Sequence, residues 1–229
     1  MPVYKGTIED DVLEINFGTN DTIFGLEGDD RITVRGGDNL VHAGDGDDTV
    51  ISGVGNDNLL GGKGDDDMHG GAGDDTLQGG EGHDDLHGGA GDDYLIGNAG
   101  MDNLVGGSGN DTLSGGRDGE SDWLYGGDGD DVLLGGDAED YLIGGEGRDK
   151  FLFEKNTGGA IADFKKDVDI IEIKGTGLSF SDVTITESKG CTVIQHPELK
   201  TILVLDVTGL TEKHFKFTEY TAAKQTCSA

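Results

Sequence analysis

The chain has 229 residues, of which 44 are glycine, 47 are acidic and 16 are basic, and its formal net charge is −31. Nucleic acids and anionic membranes are excluded as partners, because binding to them requires clustered Lys and Arg side chains that this chain lacks. So acidic a chain, with only 33% hydrophobic residues, needs a counterion in order to fold.

Charge and glycine are concentrated in the first two thirds of the chain. Residues 1–149 contain 36 acidic side chains, 6 basic side chains and 38 glycines. Residues 150–229 contain 11 acidic side chains, 10 basic side chains and 6 glycines. This shift predicts two regions that meet near Asp149. No stretch reaches the length of about eighteen apolar residues that a membrane span requires. The sequence that starts with Met1–Lys5 shows no hydrophobic core of a cleavable export signal.

A nine-residue repeat fills the first region. A degraded copy, GTIEDDVLE, occupies 6–14, and GLEGDDRIT and VRGGDNLVH follow at 25–33 and 34–42. From residue 43 the period is regular, as in GGKGDDDMH and GGAGDDYLI, apart from an eleven-residue copy at 115–125. Alignment of the chain with itself gives roughly sixteen copies of the nine-residue unit, and this number of copies indicates a repeat architecture.

The pattern is G-G-x-G-x-D-x-U-x, where U is apolar, and it resembles the calcium-binding nonapeptide of the RTX (repeats-in-toxin) family. The resemblance covers about two thirds of the chain. It implies an all-β fold, a right-handed parallel β-roll in which each calcium ion lies between the turns of units i and i+2.

The repeat positions suit calcium chemically. Calcium takes six to eight oxygen ligands, and glycines allow a turn to present its carbonyl groups without an obstructing side chain. The candidate carboxylate ligands are Asp30, Asp48, Asp57, Asp66, Asp75, Asp84, Asp93, Asp102, Asp111, Asp122, Asp131, Asp140 and Asp149. The candidate turn glycines are Gly44, Gly46, Gly53, Gly55, Gly62, Gly64, Gly71, Gly73, Gly80, Gly82, Gly89, Gly91, Gly107, Gly109, Gly127 and Gly129.

The apolar eighth position, for example Leu77, Leu86 and Leu95, predicts a short strand with one side chain facing inward. Two units then form a coil of eighteen residues, and stacked coils form two parallel sheets. The alternative is an ordinary β-solenoid with solvated acidic loops, but aspartates stacked about 4.8 Å apart would repel one another without cations. Units 34–42, 97–105, 115–125 and 135–143 depart from the pattern, so we expect about ten calcium ions, counted from the well-formed turns.

The second region, 150–229, predicts a β-rich cap. Its strand signals lie at 169–173, 183–185, 192–194 and 201–205. A cap is expected because the last coil of a solenoid exposes apolar residues. The resemblance also implies an uncleaved type I secretion signal at the C-terminus. Cys191 and Cys227 match no zinc-binding spacing, and whether they pair stays open.

No catalytic motif is present: the sequence contains no H-E-x-x-H, no G-x-S-x-G and no phosphate-binding loop. We therefore expect a non-catalytic, secreted bacterial protein that folds on binding extracellular calcium and acts in matrix, adhesion or host interaction. Its expected partners are calcium, the type I secretion machinery and a glycan or cell-surface molecule. The alternative is an accessory calcium-binding module of a polysaccharide-active enzyme, such as an alginate epimerase.

Residues eighteen apart fall on the same outer face. This places Asp67 and His69 beside Asp85 and His87, for which a transition-metal cluster is one interpretation and a solvated surface is the commoner one. It also places Trp123 and Tyr125 beside Tyr141 and Ile143. Such a patch indicates either an interaction site or a surface covered by the folded-back cap.

Overall fold

The computed structural model of the chain describes residues 1–16, 18–175, 179–188, 190–196 and 199–218. Cys227 and the expected export signal within 221–229 lie outside the described residues. Among the described residues, no helix has the length and apolar character needed to cross a membrane.

The described residues form short strands and almost no helix. The helical segments are two 3-10 turns at Phe180–Asp182 and Glu212–His214. The strands are β1 (Val3–Lys5), β2 (Val12–Ile15), β3 (Thr22–Glu27), β4 (Arg31–Val34), β5 (Leu40–Asp45), β6 (Thr49–Ile51), β7 (Asn58–Lys63), β8 (Asp67–Ala72), β9 (Thr76–Glu81), β10 (Asp85–Ala90), β11 (Tyr94–Ala99), β12 (Asn103–Ser108), β13 (Thr112–Gly116), β14 (Trp123–Asp128), β15 (Val132–Gly136), β16 (Glu139–Glu146), β17 (Lys150–Phe153), β18 (Gly158–Ile161), β19 (Ile170–Lys174), β20 (Thr184–Ser188), β21 (Cys191–Gln195), β22 (Ile202–Val204) and β23 (Phe215–Thr218).

Consecutive strands alternate between two parallel sheets. The first sheet has the order β1-β3-β5-β7-β9-β11-β13-β15-β17-β19-β23, and the second has the order β2-β4-β6-β8-β10-β12-β14-β16-β18-β22-β21-β20. In the register of β8 and β10, Asp67 lies opposite Asp85 and Met68 lies opposite Leu86. Eighteen residues therefore make one coil, and the predicted parallel β-roll is confirmed.

The core lies between the two sheets and contains one side chain from each repeat. Leu59, Leu77 and Leu95 from the first sheet are fully buried, as are Met68 and Leu86 from the second. Each is the eighth residue of its unit, and its two neighbours in the strand point outward. A single aliphatic row from each sheet therefore forms this interior, as the sequence predicts.

The β-rich C-terminal cap is present and is continuous with the roll. Strands β17, β19 and β23 extend the first sheet in parallel, and β18 and β22 extend the second. Strands β20, β21 and β22 then form an antiparallel meander, and the four strands predicted for this region correspond to β19–β22. Buried Phe151, Phe153, Phe164 and Phe215 fill this end of the core. Because both sheets run through residue 149, the division at that point stays a prediction.

Candidate metal centre

The sixth residue of each repeat lies in the turn just before its core strand. All thirteen predicted ligand carboxylates belong to residues that are at most 3% exposed. One oxygen of each has a backbone partner in the preceding coil. For example, the Asp48 N–H donates to Asp66 Oδ1 and the Asp66 N–H donates to Asp84 Oδ1, both at 2.9 Å. The aspartates thereby form two rows, one along each edge of the roll.

In eleven of these thirteen residues, and in Asp21 of an earlier repeat, the second carboxylate oxygen is buried without a hydrogen-bond partner. The buried, unpartnered Oδ2 atoms belong to Asp21, Asp30, Asp48, Asp66, Asp75, Asp84, Asp93, Asp102, Asp111, Asp131, Asp140 and Asp149. A buried acceptor without a partner costs roughly 1–3 kcal/mol, and more when it is charged. A dozen such atoms in register indicate that something else satisfies them.

Oxygens from successive coils face the same small space. A Cβ atom added to Gly70 would lie 2.4 Å from Asp75 Oδ2 and 2.8 Å from the Gly88 carbonyl oxygen, which belongs to the next coil. A Cβ added to Gly61 would likewise lie 2.1 Å from Asp66 Oδ2 and 2.7 Å from the Gly79 carbonyl oxygen. A glycine at the first position of a repeat therefore leaves open a space lined by oxygen.

The predicted glycines at the second and fourth positions are required by backbone conformation. All of them except Gly53 have a positive φ, which disfavours any residue with a Cβ. They also contact the coil before them: a Cβ on Gly62 would lie 1.9 Å from the Gly44 carbonyl oxygen. These positions set the stacking distance between turns and so align the carbonyl groups of neighbouring coils.

Burial strongly perturbs the aspartates. Desolvation, opposed by the backbone hydrogen bond and reinforced by neighbouring carboxylates, raises the pKa of Asp66 and Asp122 to about 8. The same causes raise the pKa of Asp84, Asp93 and Asp131 to about 7. Without a cation, these rows therefore hold protons at a pH where an exposed aspartate is fully ionised.

The donor set fits a hard cation. Carboxylate and carbonyl oxygens are the ligands of Ca²⁺, whereas softer metals take imidazole or thiolate. Among the described residues, no three His, Cys, Asp or Glu side chains converge on one point, so backbone carbonyls must complete any coordination shell here.

Comparison with known proteins agrees with this chemistry. The family model of the RTX calcium-binding nonapeptide repeat matches residues 16–50, 24–59, 42–77, 60–95, 96–120 and 118–151, which is more than half of the chain. The chain belongs to the RTX calcium-binding nonapeptide-repeat family. No curated protein matches it.

Two solved structures are similar to this RTX chain. An extracellular lipase from Serratia marcescens is 17% identical with a TM-score of 0.35, and the match covers 94% of this chain and 40% of the lipase. A subunit of the mannuronan C5-epimerase from Azotobacter vinelandii is 22% identical with a TM-score of 0.27, covering 74% of this chain and 84% of that one. The chain thus spans less than half the length of the lipase.

The fifth residue of each RTX repeat builds a second ladder, which the sequence analysis missed. Asp47 Oδ1 accepts a hydrogen bond from the Asp65 N–H at 2.9 Å, and Asp65 Oδ1 accepts one from the His83 N–H at 2.7 Å. These bonds come from the following coil, whereas those to the sixth-position carboxylates come from the preceding coil. The two adjacent ladders thus fasten each turn to both of its neighbours.

One level of the RTX roll has its acceptors satisfied by the protein itself. The Asn39 side-chain amide donates to the Gly37 carbonyl at 2.7 Å and to Asp57 Oδ1 at 2.8 Å. The Ser52 hydroxyl, which stands at the first-glycine position, donates to Asp57 Oδ2. This level therefore differs from most others, where Oδ2 is unpartnered, and the departure of unit 34–42 from the pattern was its signal.

The RTX row continues one step beyond the predicted repeats. The Asp149 N–H donates to Asp169 Oδ1 at 3.0 Å, and Asp169 Oδ2 accepts the Lys165 N–H at 2.6 Å. The Lys165 ammonium donates to the Gly145 carbonyl. With Asp169 at the sixth position, residues 164–172 form a degenerate repeat. Asp167 takes its fourth position and has a positive φ of 72°, as glycine does there in most other repeats. A tethered lysine thus supplies positive charge at the last level of the row.

The two histidines on the outer face stack as the period predicts. The rings of His69 and His87 are 4.7 Å apart and nearly parallel. His69 Nε2 lies 2.9 Å from Asp67 Oδ1, and His87 Nε2 lies 3.0 Å from Asp85 Oδ1. Parallel rings direct their nitrogen lone pairs side by side and not toward a shared point. Since no three-ligand group occurs among the described residues, the transition-metal interpretation is not supported.

Proposed function

We propose that this RTX protein is a secreted, non-catalytic module that folds when calcium enters the two aspartate rows. The observation that carries the proposal is the alignment of a buried, unpartnered Asp Oδ2 with a carbonyl oxygen of the next coil, repeated along the roll. A divalent cation between coils satisfies both oxygens and removes the repulsion within each row. The proposed ligands are the predicted aspartates other than Asp57, whose oxygens accept hydrogen bonds from Asn39 and Ser52, and carbonyl groups of the glycine turns assist them.

Calcium then acts as a folding switch coupled to export. Extracellular modules commonly bind calcium with dissociation constants of about 10⁻⁴–10⁻³ M, far above the free concentration inside a cell. The acidic chain therefore stays unfolded before export through a type I system and folds outside the cell. Its role there is in the matrix, in adhesion or in contact with a host surface.

A matched pair of neighbouring aspartates tests the ligand assignment. Asp93 is buried with an unpartnered Oδ2, whereas Asp92 is exposed and its Oδ1 accepts the Asn110 N–H at 2.7 Å. We expect Asp93→Asn to reduce the number of bound calcium ions, measured by equilibrium dialysis, and to raise the calcium midpoint of folding, measured by circular dichroism. Asp92→Asn should leave both unchanged. Equal binding by the two variants would contradict the assignment.

The accessory-module alternative predicts binding to a substrate polymer of the attached enzyme. An anionic polymer such as alginate is disfavoured, because the 36 acidic and 6 basic side chains of residues 1–149 give that region a strongly negative charge. Retention of the folded protein on an alginate column at physiological salt would favour this alternative over the first proposal.

A further inference from the structure

An aromatic platform lies on the outer face of the second sheet. We define it as Trp123 and Tyr125 on β14 together with Tyr141 on β16. The register places Trp123 directly opposite Tyr141, and Tyr125 opposite Ile143. Trp123 is 54% exposed and Tyr125 is 43% exposed, although both carry large apolar surfaces. The described cap strands extend the sheet beyond this point and do not cover it.

Two grooves meet at Tyr141. One, of about 330 Å³, runs along Asn103, Trp123, Tyr125 and Ile143. The other, of about 370 Å³, runs past Glu139, Ala160, Thr201 and Leu203. Together they cross β12, β14, β16, β18 and β22, five neighbouring strands of one sheet. We call the two grooves together the trough. With neighbouring strands about 4.8 Å apart, the trough is roughly 19 Å long, which is enough for several linked sugar rings.

The side chains of the trough are suited to an uncharged, hydroxyl-rich ring. The faces of Trp123 and Tyr141 offer flat apolar surfaces against which the C–H face of a pyranose packs. Beside them, Asn103, Glu139 and Thr201 supply polar groups that hydrogen-bond to hydroxyl groups. Concave sites of this composition, mainly apolar with a few polar groups, are typical of small-ligand recognition.

The charge around the trough favours a neutral sugar over an anionic sugar or a second copy of the chain. The carboxylates of Asp85 and Glu139 border the trough, and Asp85 Oδ1 accepts the Asn103 side-chain amide at 2.8 Å. A carboxylate attracts hydroxyl donors but repels anionic sugars. A second copy of the chain would bring the acidic borders of two such troughs together. A neutral glycan meets neither obstacle.

We propose that the aromatic platform binds a neutral polysaccharide, with pyranose rings stacked on Trp123 and Tyr141 and hydroxyl groups directed to the polar border. The inference rests on the proposed calcium-held roll, because only stacked coils bring β14 and β16 into register. It gives the module a chemically defined partner for a role in matrix or adhesion.

The chain offers a direct probe of this site, because Trp123 is its one tryptophan. Intrinsic fluorescence in saturating calcium therefore reports on the platform alone. We would titrate the full chain with hexamers of β-glucan, α-glucan, mannan and galactan, and with hexagalacturonate as the anionic comparison. At least one neutral hexamer should shift the emission and protect Trp123 from acrylamide quenching, whereas hexagalacturonate should do neither.

Variants separate binding from folding. Tyr141→Ala should weaken the fluorescence-detected affinity at least tenfold, and Trp123→Ala should weaken calorimetric binding by the same factor. Tyr94→Ala is the matched control, because Tyr94 is 44% exposed on the outer face of the opposite sheet. It should bind like the parent. All three should keep the calcium-induced circular dichroism signal.

Several results would overturn the inference. These are a folded protein that none of the neutral hexamers affects, preferential binding of hexagalacturonate, equal loss in Tyr94→Ala, or a dimer in sedimentation that buries Trp123. In each case the circular dichroism response to calcium would remain, so the proposed function would stand. A chain that does not fold in calcium would overturn both.

Discussion

Removal of calcium at neutral pH should unfold the roll, and acidification should restore it. Burial raises the pKa of Asp48, Asp75, Asp102, Asp111, Asp140 and Asp149 from 3.8 to about 6. These side chains are at most 2% exposed, so solvent does not screen them. A shift of about two units corresponds to roughly 3 kcal/mol for each residue. The six together therefore match or exceed the roughly 5–15 kcal/mol by which domains are stable.

The direction of the effect follows from the raised pKa values. A carboxyl whose pKa is higher in the folded state favours folding fully below its unfolded value of 3.8, and this contribution is lost as the pH rises through the folded value. For these rows the loss spans about pH 4 to 8, since the pKa values of Asp66 and Asp122 reach about 8. The calcium-free chain should be least stable above pH 8.

The assay is circular dichroism and urea unfolding of chain stripped of calcium by dialysis. We expect little β-structure at pH 8 and a cooperative transition at pH 5; lower pH is avoided because the isoelectric point is about 4.1. Calcium should remove most of the pH dependence. A calcium-free chain that is equally stable at pH 5 and 8 would refute the reasoning. So would full refolding in about 1 M NaCl at pH 8, because salt screens surface repulsion but does not relieve burial.

Four substitutions probe other parts of the fold. Gly89→Ala should destabilise the calcium-bound roll by more than about 3 kcal/mol in urea unfolding, since the new Cβ would lie 2.2 Å from the Gly71 carbonyl oxygen. Gly190→Ala, also at positive φ but with open space around it, should cost only about 1–2 kcal/mol. Leu95→Ala, at a fully buried position, should cost about 2–5 kcal/mol, and a smaller loss would contradict the single-row core. Asn39→Asp should add one bound calcium ion by native mass spectrometry, and an unchanged count would show that this level is closed.

The regular part of the roll could be predicted because each structural role repeats with one residue type. The eighth-position leucines and the sixth-position aspartates recur every nine residues, and both are buried as that period predicts. The pairing of Trp123 with Tyr141 also follows from the period, once two units are taken as one coil.

The departure of unit 34–42 is visible in the sequence, but the contacts made at the exceptional levels could not be predicted, because other residue types take over the roles. Lys165 and Asp167 occupy positions that glycine holds elsewhere, so the last copy has no glycine to mark it. The Ser52 hydroxyl and the Asn39 amide act through hydrogen bonds that sequence spacing does not encode. The fifth-position ladder was missed for a different reason: the repeat pattern assigns no role to the fifth residue, whereas its side chain accepts a backbone hydrogen bond from the next coil.

Two repeats complete each coil, and this arithmetic constrains how such a molecule can change in length. An insertion of nine residues transfers every side chain downstream to the opposite sheet, so such an insertion between Trp123 and Tyr141 would place them on different sheets. An insertion of eighteen would leave both faces as they are. The two extra residues of 115–125 are absorbed in the turn, where the hydrogen bond from the Asp102 N–H to Asp122 Oδ1 spans twenty positions and keeps its length of 2.9 Å. Relatives that retain the aromatic face should therefore not contain an odd number of extra repeats between its two strands.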